Sequence, residues 1–334
     1  MTSRERVWAA LEGRAVDRPP VSFWGHFYHR ESSAAELVEA TLEFWREYRW
    51  DWVKLNPRKH CHVEPWGVRY RYPGVPDVKP GLESWPVHAP TAWAHVTPRP
   101  PTAGALGEQI EAVRLLRRAL PAEVPLIETI FTPLAVLGEM VETPGELRAQ
   151  LDSHPGLVRG ALEAVTATYE PFVREVLRAG ADGIYFATVD WASADLLTPA
   201  QYRAWARPFD LRVLAAAAGA PFNVLHVCKR RNLLFEFGDY PVAAFSWATN
   251  DPTNPTLREA LGRLRPAVMG GISQDGALQA AGPGAALAEY ATALAETAGC
   301  HWLAAPGCSI PPGTPAENLH AVRDAAASTR LPIS

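Results

Sequence analysis

Several features are absent from the sequence, and each absence excludes a class of protein. No uninterrupted apolar run reaches the roughly 18 residues of a membrane-spanning helix, so we expect no membrane span. The net charge of −4 leaves no basic excess with which to bind nucleic acid. The opening residues, MTSRERVWAALEG, have a charged helical pattern rather than that of a signal peptide, which favours a cytoplasmic protein.

Cysteine is scarce, and a disulfide framework is not expected in a long cytoplasmic chain. Metal binding, catalysis or simple burial remain as roles for each thiol. No Gly-x-Gly-x-x-Gly motif follows an early predicted strand, which argues against an open dinucleotide-binding sheet. The four cysteines are Cys61, Cys228, Cys300 and Cys308.

Apolar residues make up 48% of the chain and recur in short runs that are separated by helical patterns. Runs of this length are typical of strands that are buried on both faces of a parallel sheet. The alternation predicts a (β/α)8 TIM barrel in which residues 1–334 form one domain. The predicted strands are 19–25, 50–57, 124–131, 183–190, 222–228, 242–249, 267–273 and 301–308.

Three helix starts support this alternation. Residues 143–146, 198–201 and 314–317 each place threonine at the N-cap, proline at the first helical position, and Glu or Gln at the third. The second of these helices is predicted to run to Gly219. Residues 57–102 do not fit the repeat, and we interpret them as an insertion after strand two, with a hairpin at 66–74 as a candidate lid.

The carboxyl ends of barrel strands are where catalytic residues lie. His226 and Cys228 end the fifth predicted strand two residues apart, so both side chains face the same side, about 6.5 Å apart at Cα. That separation lets an imidazole nitrogen and a thiolate bind one ion, and Cys308 at the end of strand eight adds a third ligand. Three protein ligands with an open fourth position are typical of catalytic zinc, whereas core packing is the alternative.

Other polar or aromatic residues follow the remaining strands at the same rim. We assign Asp190 a catalytic role as acid, base or ligand, with capping of the next turn as the alternative. The candidate substrate-binding residues are Trp24, His26, Asn56, Trp191 and Asp251.

Three further features allow more than one interpretation. His60 and His62 alternate around Cys61, so they share a face and either belong to a loop or line the pocket. The basic triplet 229–231 either binds an anionic group or begins a solvated helix. Cys300 precedes strand eight, at the opposite end of the barrel, and is predicted to be buried and structural.

Four stretches resemble the uroporphyrinogen decarboxylase superfamily, in order and over nearly the whole chain, with 57–102 the least similar part. The resemblance implies a (β/α)8 barrel, in agreement with the strand pattern, and one of two chemistries. The four stretches are RERVWAALEGRAVDRPPV, ADGIYFATVDWASADLLTPAQYRAWARPFDLRV, FNVLHVCK and PGCSIPPGTPAENLHAVRDAA.

The first chemistry is metal-independent decarboxylation of a carboxylated tetrapyrrole. Decarboxylases of this superfamily carry an Arg-Gln-Ala-Gly-Arg loop after strand one, where this chain has WGHFYHRESS and only Arg30 remains. They also carry a histidine where this chain has Cys308. This chemistry requires an arginine-rich pocket. Besides Arg30, the residues Arg58, Arg230 and Arg231 could contribute to it.

The second chemistry is that of corrinoid-linked methyltransferases. Their zinc motif, His-x-Cys on strand five with a distant cysteine after strand eight, is matched by His226, Cys228 and Cys308. The resemblance therefore implies one zinc ion per chain and a thiol acceptor. It also implies a corrinoid donor on a partner protein and pairing of barrels as a homodimer. An acidic fourth ligand is sometimes found after strand six, where this chain has Ser246 and then Asp251.

The favoured hypothesis is a zinc-dependent methyltransferase that moves a methyl group from a corrinoid to a thiol held as thiolate. A decarboxylase of the same fold is the first alternative. A barrel that binds a thiol or a corrinoid without turnover is the second.

Overall fold

The structure is a computed structural model that describes residues 1–331. Seven parallel strands within these residues form one sheet in the order β1-β4-β5-β6-β7-β8-β9, and β2 and β3 form a separate antiparallel pair. The strands are β1 (Val53–Leu55), β2 (Arg69–Arg71), β3 (Gly81–Ser84), β4 (Leu126–Phe131), β5 (Gly183–Ala187), β6 (Val224–His226), β7 (Ala244–Ser246), β8 (Ala267–Ile272) and β9 (Trp302–Pro306).

Helices follow the strands of the large sheet, as the sequence pattern predicts. No helix in residues 1–331 is long and apolar enough to cross a membrane. The helices are α1 (Ser3–Leu11), α2 (Ala34–Tyr48), α3 (Gly104–Ala119), α4 (Pro133–Gly138), α5 (Pro144–Ser153), α6 (Pro155–Arg178), α7 (Pro199–Trp205), α8 (Arg207–Ala216), α9 (Leu257–Leu261), α10 (Gly284–Thr297) and α11 (Ala316–Ser328).

The first predicted strand, 19–25, is extended but makes only isolated bridges. Val21 is bridged to Ala304 of β9, and its carbonyl accepts a hydrogen bond from the Asp51 amide at 2.9 Å. The segment therefore lies between the two edge strands of the sheet and gives it a barrel-like form. Proline at positions 19 and 20 has no N–H to donate, which explains why a regular ladder does not form.

Two apolar clusters account for the burial of the sheet on both faces. The outer cluster packs the strands against the helices. The inner cluster fills the barrel with side chains from alternate strand positions, as expected for a parallel barrel core. Its strand members include Ile127, Tyr185, Val224, Ala244, Met269 and Leu303.

Two of the three predicted helix caps are confirmed. The Thr143 and Thr198 hydroxyls each accept a hydrogen bond from the backbone N–H three residues later. The prediction for Thr314 is wrong, because α11 begins after Pro315 and the Thr314 hydroxyl donates to the Pro311 carbonyl at 2.7 Å.

The predicted single helix 198–219 is also wrong. The predicted helix is divided into α7 and α8 at Ala206, two residues before Pro208. Proline has no N–H to donate to the preceding turn, and its ring crowds that turn, so a continuous helix is broken at this point.

The hairpin predicted at 66–74 is wrong in its pairing. Tyr70 of β2 pairs with Leu82 of β3, and the intervening 72–80 form a long connection that is exposed up to Lys79. The connection carries three of the four large apolar side chains that are exposed in the described chain: Tyr72, Val75 and Val78.

Gly138, at the end of α4, is required by a close contact with Trp191. A Cβ at Gly138 would lie 2.2 Å from Trp191 Nε1, a distance that real side chains do not adopt. We expect Gly138→Ala to lower the free energy of unfolding by about 1–3 kcal/mol, measured by urea titration. Gly160→Ala in α6, where a Cβ meets no atom within 4 Å, is the control and should stabilise by about 0.5–1 kcal/mol. Equal effects at the two positions would contradict this interpretation.

Candidate metal centre and substrate cavity

A cavity of about 470 Å³ opens at the carboxyl ends of the parallel strands. Its walls are formed by residues at or just after the ends of β1, β4, β5, β6 and β9, together with Lys79 from the β2–β3 connection. Because strand ends of a parallel barrel meet at one rim, side chains far apart in sequence converge here.

His226, Cys228 and Cys308 come together on the cavity wall. One potential ligand atom from each, a ring nitrogen or a thiol sulfur, lies within 4.8 Å of the others. His226 is the last residue of β6, Cys228 lies two positions further, and Cys308 lies two positions after β9. The structure therefore brings together the three residues that the sequence proposed as metal ligands.

The orientation of the His226 ring is set by the neighbouring strand. Nδ1 lies 3.2 Å from the Ser246 carbonyl oxygen, which can only accept, so Nδ1 carries the proton. Nε2 is buried and has no hydrogen-bond partner. A buried lone pair without a partner is unfavourable, whereas a metal ligand held by a carbonyl in this way is a common arrangement.

The two thiols differ in acidity, and each affects the pKa of the other. The hydrogen bond from Cys228, together with the nearby His226 and Lys54, holds the pKa of Cys308 well below its usual range. The hydrogen bond to Cys308 and burial raise the pKa of Cys228. Thiolate is the form of cysteine that binds metals, so the pair is already poised toward metal binding.

Gly307 allows Cys308 to approach the other two residues. A Cβ at Gly307 would lie 2.8 Å from Ala248 Cα and 2.8 Å from the Gln274 amide oxygen. Any side chain at this position would push the backbone before Cys308 away from β7. Close packing of the backbone therefore fixes the third member of the cluster.

The donor set fits a zinc ion. One imidazole and two thiols are the ligand types that zinc prefers, and the unpartnered Nε2 supplies the required lone pair. No carboxylate belongs to the cluster within residues 1–331. Ser246 contacts His226 and Tyr185 instead, and Asp251 accepts from the Thr253 amide at 2.8 Å. Neither Ser246 nor Asp251 therefore belongs to the cluster of potential ligands.

Four of the five residues predicted to bind substrate line the cavity: Trp24, His26, Asn56 and Asp251. The His26 Nδ1 lies 2.8 Å from the buried carboxylate of Glu31, which orients the ring. Asn56 donates to the Gly25 carbonyl at 2.8 Å and to the Ser309 hydroxyl at 3.2 Å. It therefore links the end of β1 to the extended segment 19–25 and to the loop after β9.

Trp191 and Asp190 lie outside the cavity lining. Trp191 is buried against Gly138 of α4. Asp190 forms an ion pair with Lys229, 2.9 Å from carboxylate oxygen to Nζ, and Lys229 is the member of the pair that lines the cavity.

His60 and His62 both line the cavity, although the backbone between them is a turn rather than an extended strand. Burial lowers the pKa of His62 to about 4, so its ring is neutral, and it stacks on Phe131 at 4.1 Å between centroids. His60 Nε2 lies 3.2 Å from the Pro80 carbonyl and thus contacts the end of the β2–β3 connection. Cys61 lies between them but turns away toward the Ala105 carbonyl.

The basic triplet 229–231 does not begin a helix. Lys229 and Arg231 have left-handed backbone angles, and each of the three side chains pairs with one of two carboxylates. Lys229 pairs with Asp190, and Arg230 and Arg231 both pair with Asp195. The triplet is therefore an internally paired segment of the cavity rim.

The prediction that Cys300 is buried is wrong. Cys300 is exposed, because it lies in the turn between α10 and β9 rather than in the barrel wall. Its thiol lies 3.7 Å from the Ala298 carbonyl oxygen.

Sequence reasoning missed two residues that shape the centre. Lys54 Nζ lies 4.5 Å from the centroid of the Tyr185 ring, and that ring stacks on His226 at 5.0 Å. Burial lowers the pKa of Lys54 to about 8, which still leaves the ammonium charged at neutral pH. Strand alternation could have found Lys54, because it shares its strand face with Asn56.

The chain belongs to the uroporphyrinogen decarboxylase (URO-D) family, whose sequence profile matches residues 2–329. This confirms the family that the sequence resemblance predicted. Among curated proteins, the chain is 23% identical over 340 residues to the methylcobamide:CoM methyltransferase MtaA of Methanosarcina barkeri, covering 96% of each protein. It is 26% identical over 151 residues to the uroporphyrinogen decarboxylase of Geobacter sp. (strain M21), covering 42% of this chain and 43% of that protein.

Solved structures share the fold. A methyltransferase from Methanosarcina mazei matches with a TM-score of 0.82 at 21% identity, covering 98% of this chain and 100% of that one. A B12-independent methionine synthase from Shewanella sp. W3-18-1 matches with a TM-score of 0.61 at 11% identity, covering 93% and 97%.

Glu139 links Lys59 and His60 at the edge of the cavity. Burial raises the pKa of Glu139, but the Lys59 ammonium at 3.1 Å and the nearby His60 outweigh it and hold the pKa at about 2. A carboxyl whose pKa is lowered on folding stabilises the protein above its ordinary pKa of 4.5, and that stability is lost as pH falls toward 2.

We expect Glu139→Gln to lower the free energy of unfolding by about 2–3 kcal/mol near neutral pH, since the charged partner of Lys59 is lost. Urea unfolding at several pH values should show this difference shrinking as pH falls below 4.5. The exposed Glu142→Gln is the control and should change stability by no more than about 0.5 kcal/mol. A difference that is constant across the pH range would contradict the assignment.

Proposed function

We propose that this protein is a zinc-dependent methyltransferase that moves a methyl group from a corrinoid donor to the sulfur of a thiol acceptor. The observation that carries the proposal is the buried, unpartnered Nε2 of His226 beside two thiols, on the wall of a cavity large enough for a small acceptor. The similarity to the methylcobamide:CoM methyltransferase over 96% of the chain supports the same chemistry.

His226, Cys228 and Cys308 would hold the ion. When bound, zinc would supply a Lewis acid that keeps a thiol in its thiolate form at neutral pH. Tyr185 supports the His226 ring from one side, and the Ser246 carbonyl holds its Nδ1 proton. These contacts keep Nε2 directed at the cavity, so that little reorganisation is needed when an acceptor enters.

The transfer itself is a displacement at the methyl carbon. A lone pair of the acceptor sulfur forms the new S–C bond while the Co–C bond of the donor breaks. The electron pair of that bond stays with the corrinoid, and the proton of the thiol is released to solvent. The protein's contribution is to hold the sulfur in line with the methyl group and to exclude water from the cavity floor.

Decarboxylation remains the alternative function. The uroporphyrinogen decarboxylase similarity covers 42% of the chain, and the cavity lining contains Arg58 and Arg230. Arg58, however, is paired with Glu64 and Glu108, and Arg230 shares Asp195 with Arg231, so the lining holds no group of unpaired arginines for several substrate carboxylates. The cavity is therefore less suited to a tetrapyrrole with many carboxylates than to a small acceptor.

Metal content tests the ligand assignment. We expect about one zinc per chain in protein purified without chelator, and loss of most of it in Cys228→Ser and Cys308→Ser, because a hydroxyl is a poor zinc ligand. Elemental mass spectrometry gives the stoichiometry. Cys300→Ser changes an exposed thiol outside the centre and should keep the zinc. Full zinc occupancy in both Cys228→Ser and Cys308→Ser would overturn the assignment.

Activity tests the reaction class. The zinc-loaded protein is incubated with methylcobalamin and a panel of small thiols, and loss of the Co–C bond is followed by visible absorption. We expect thiol-dependent demethylation that is lost in Cys308→Ser. Demethylation independent of thiol, or decarboxylation of a uroporphyrinogen by metal-free protein, would contradict the proposal.

A further inference from the structure

The cavity floor carries one buried cation. Lys54 lies on β1, is 6% exposed and lines the cavity. Its ammonium lies 4.5 Å from the centroid of Tyr185 and 5.5 Å from that of Trp24, and it donates to the Asn56 side-chain oxygen. An ammonium has three N–H donors, and one acceptor with two aromatic faces leaves it only partly satisfied.

Lys54 is the buried lysine of the cavity lining, and it has no carboxylate partner within residues 1–331. Lys59 is 3.1 Å from Glu139, and Lys229 is 2.9 Å from Asp190. None of the ion pairs found within residues 1–331 includes Lys54, and the one other cavity lysine without a pair is solvent-exposed. The cavity arginines are likewise paired: Arg58 with Glu64 and Glu108, and Arg230 with Asp195.

A buried carboxyl on the neighbouring strand does not supply the missing charge. Leu55 pairs with Glu128 in the sheet, so Glu128 faces away from the barrel interior, and both of its oxygens lie 3.0 Å from the Gln109 amide nitrogen. Burial raises the pKa of Glu128 well above its usual range, and its hydrogen bonds go to Gln109 rather than to Lys54.

The charges of the centre can be counted. With a divalent ion bound to both thiolates and to His226 Nε2, the charges of the ion and the two thiolates would cancel. Lys54 then remains as one uncompensated positive charge in a buried site. A buried cation without a counter-charge is unfavourable, so an anionic ligand that enters the cavity gains from it.

We propose that Lys54 is the counter-ion of the acceptor's thiolate sulfur and acts as a positioning residue that makes the cavity select an anionic ligand over a neutral one. The inference rests on the proposed function and deepens it. On binding, the S–H bond of the acceptor breaks, the electron pair stays on sulfur, and the proton leaves to solvent. The thiolate then brings the single negative charge that Lys54 lacks.

The test uses an acceptor with no charge of its own. Cobalt-loaded protein is titrated with 2-mercaptoethanol, and the thiolate-to-cobalt absorption band gives the dissociation constant. We expect Lys54→Met to weaken binding about tenfold or more, since a unit positive charge is lost from the buried cavity that receives the thiolate, with cobalt occupancy unchanged. Lys54→Arg keeps the charge and should keep most of the affinity.

Two controls separate this role from a general effect on the fold. Lys59→Met removes a cavity cation that Glu139 already neutralises, and it should change the affinity by less than about threefold. Thermal unfolding of the cobalt-loaded, thiol-free Lys54→Met should occur at an equal or higher temperature than in wild type. Replacing an unpaired buried charge by an apolar side chain of similar size removes a cost, whereas a lysine that merely supports the fold would give a lower temperature.

The outcomes distinguish the two proposals. Equal thiol affinity in Lys54→Met and wild type, with wild type binding cobalt and thiol, overturns the role of Lys54 and leaves the proposed function standing. Failure of wild type to bind cobalt or thiol overturns both. If Lys54→Met does not fold, the thiol affinities of Lys54→Gln and Lys54→Arg are compared instead. Equal affinity in those two variants overturns the counter-ion role of Lys54.

Discussion

The candidate centre depends on one hydrogen bond between neighbouring strands. The parallel register of β6 and β7 pairs His226 with Ser246, which places the Ser246 carbonyl 3.2 Å from Nδ1. That contact fixes the tautomer, directs Nε2 at the cavity, and keeps the ring stacked on Tyr185. Because Cys228 lies two residues further along the same chain, the same register also places the first thiol, and only Cys308 must arrive from elsewhere.

Three residues of the cavity lining have strained, left-handed backbone conformations. His60, Val189 and Lys229 line the cavity and have φ angles of 74°, 51° and 71°, in the left-handed region that side chains with a Cβ avoid. Each costs about 1–2 kcal/mol, and a β-branched valine is especially unfavourable there. The surrounding fold tolerates this strain at the strand ends, as is common where loops are shaped by a ligand rather than by stability.

Local patterns predicted the parts of the molecule that short-range physics controls. Strand–helix alternation, the Thr143 and Thr198 caps, and the shared face of His226 and Cys228 all follow from residues within a few positions of one another. Two predictions that involve proline failed: Pro208 divides the predicted helix 198–219, and Pro315, predicted as the first helical residue, is instead the N-cap of α11. The exposure of Cys300 was missed because a turn and a buried strand edge look alike in sequence.

The sequence by itself determined the family, the seven strands of the parallel sheet and the identity of the three candidate ligands, since these are carried by motifs and by periodicity. Only the tertiary structure decided what each side chain faces. Trp191 is buried against Gly138, and Lys54 is left unpaired on the cavity floor while Lys59 finds Glu139. The physical reason is that burial and charge pairing depend on segments tens of residues apart, whose approach is set by the packing of the whole barrel.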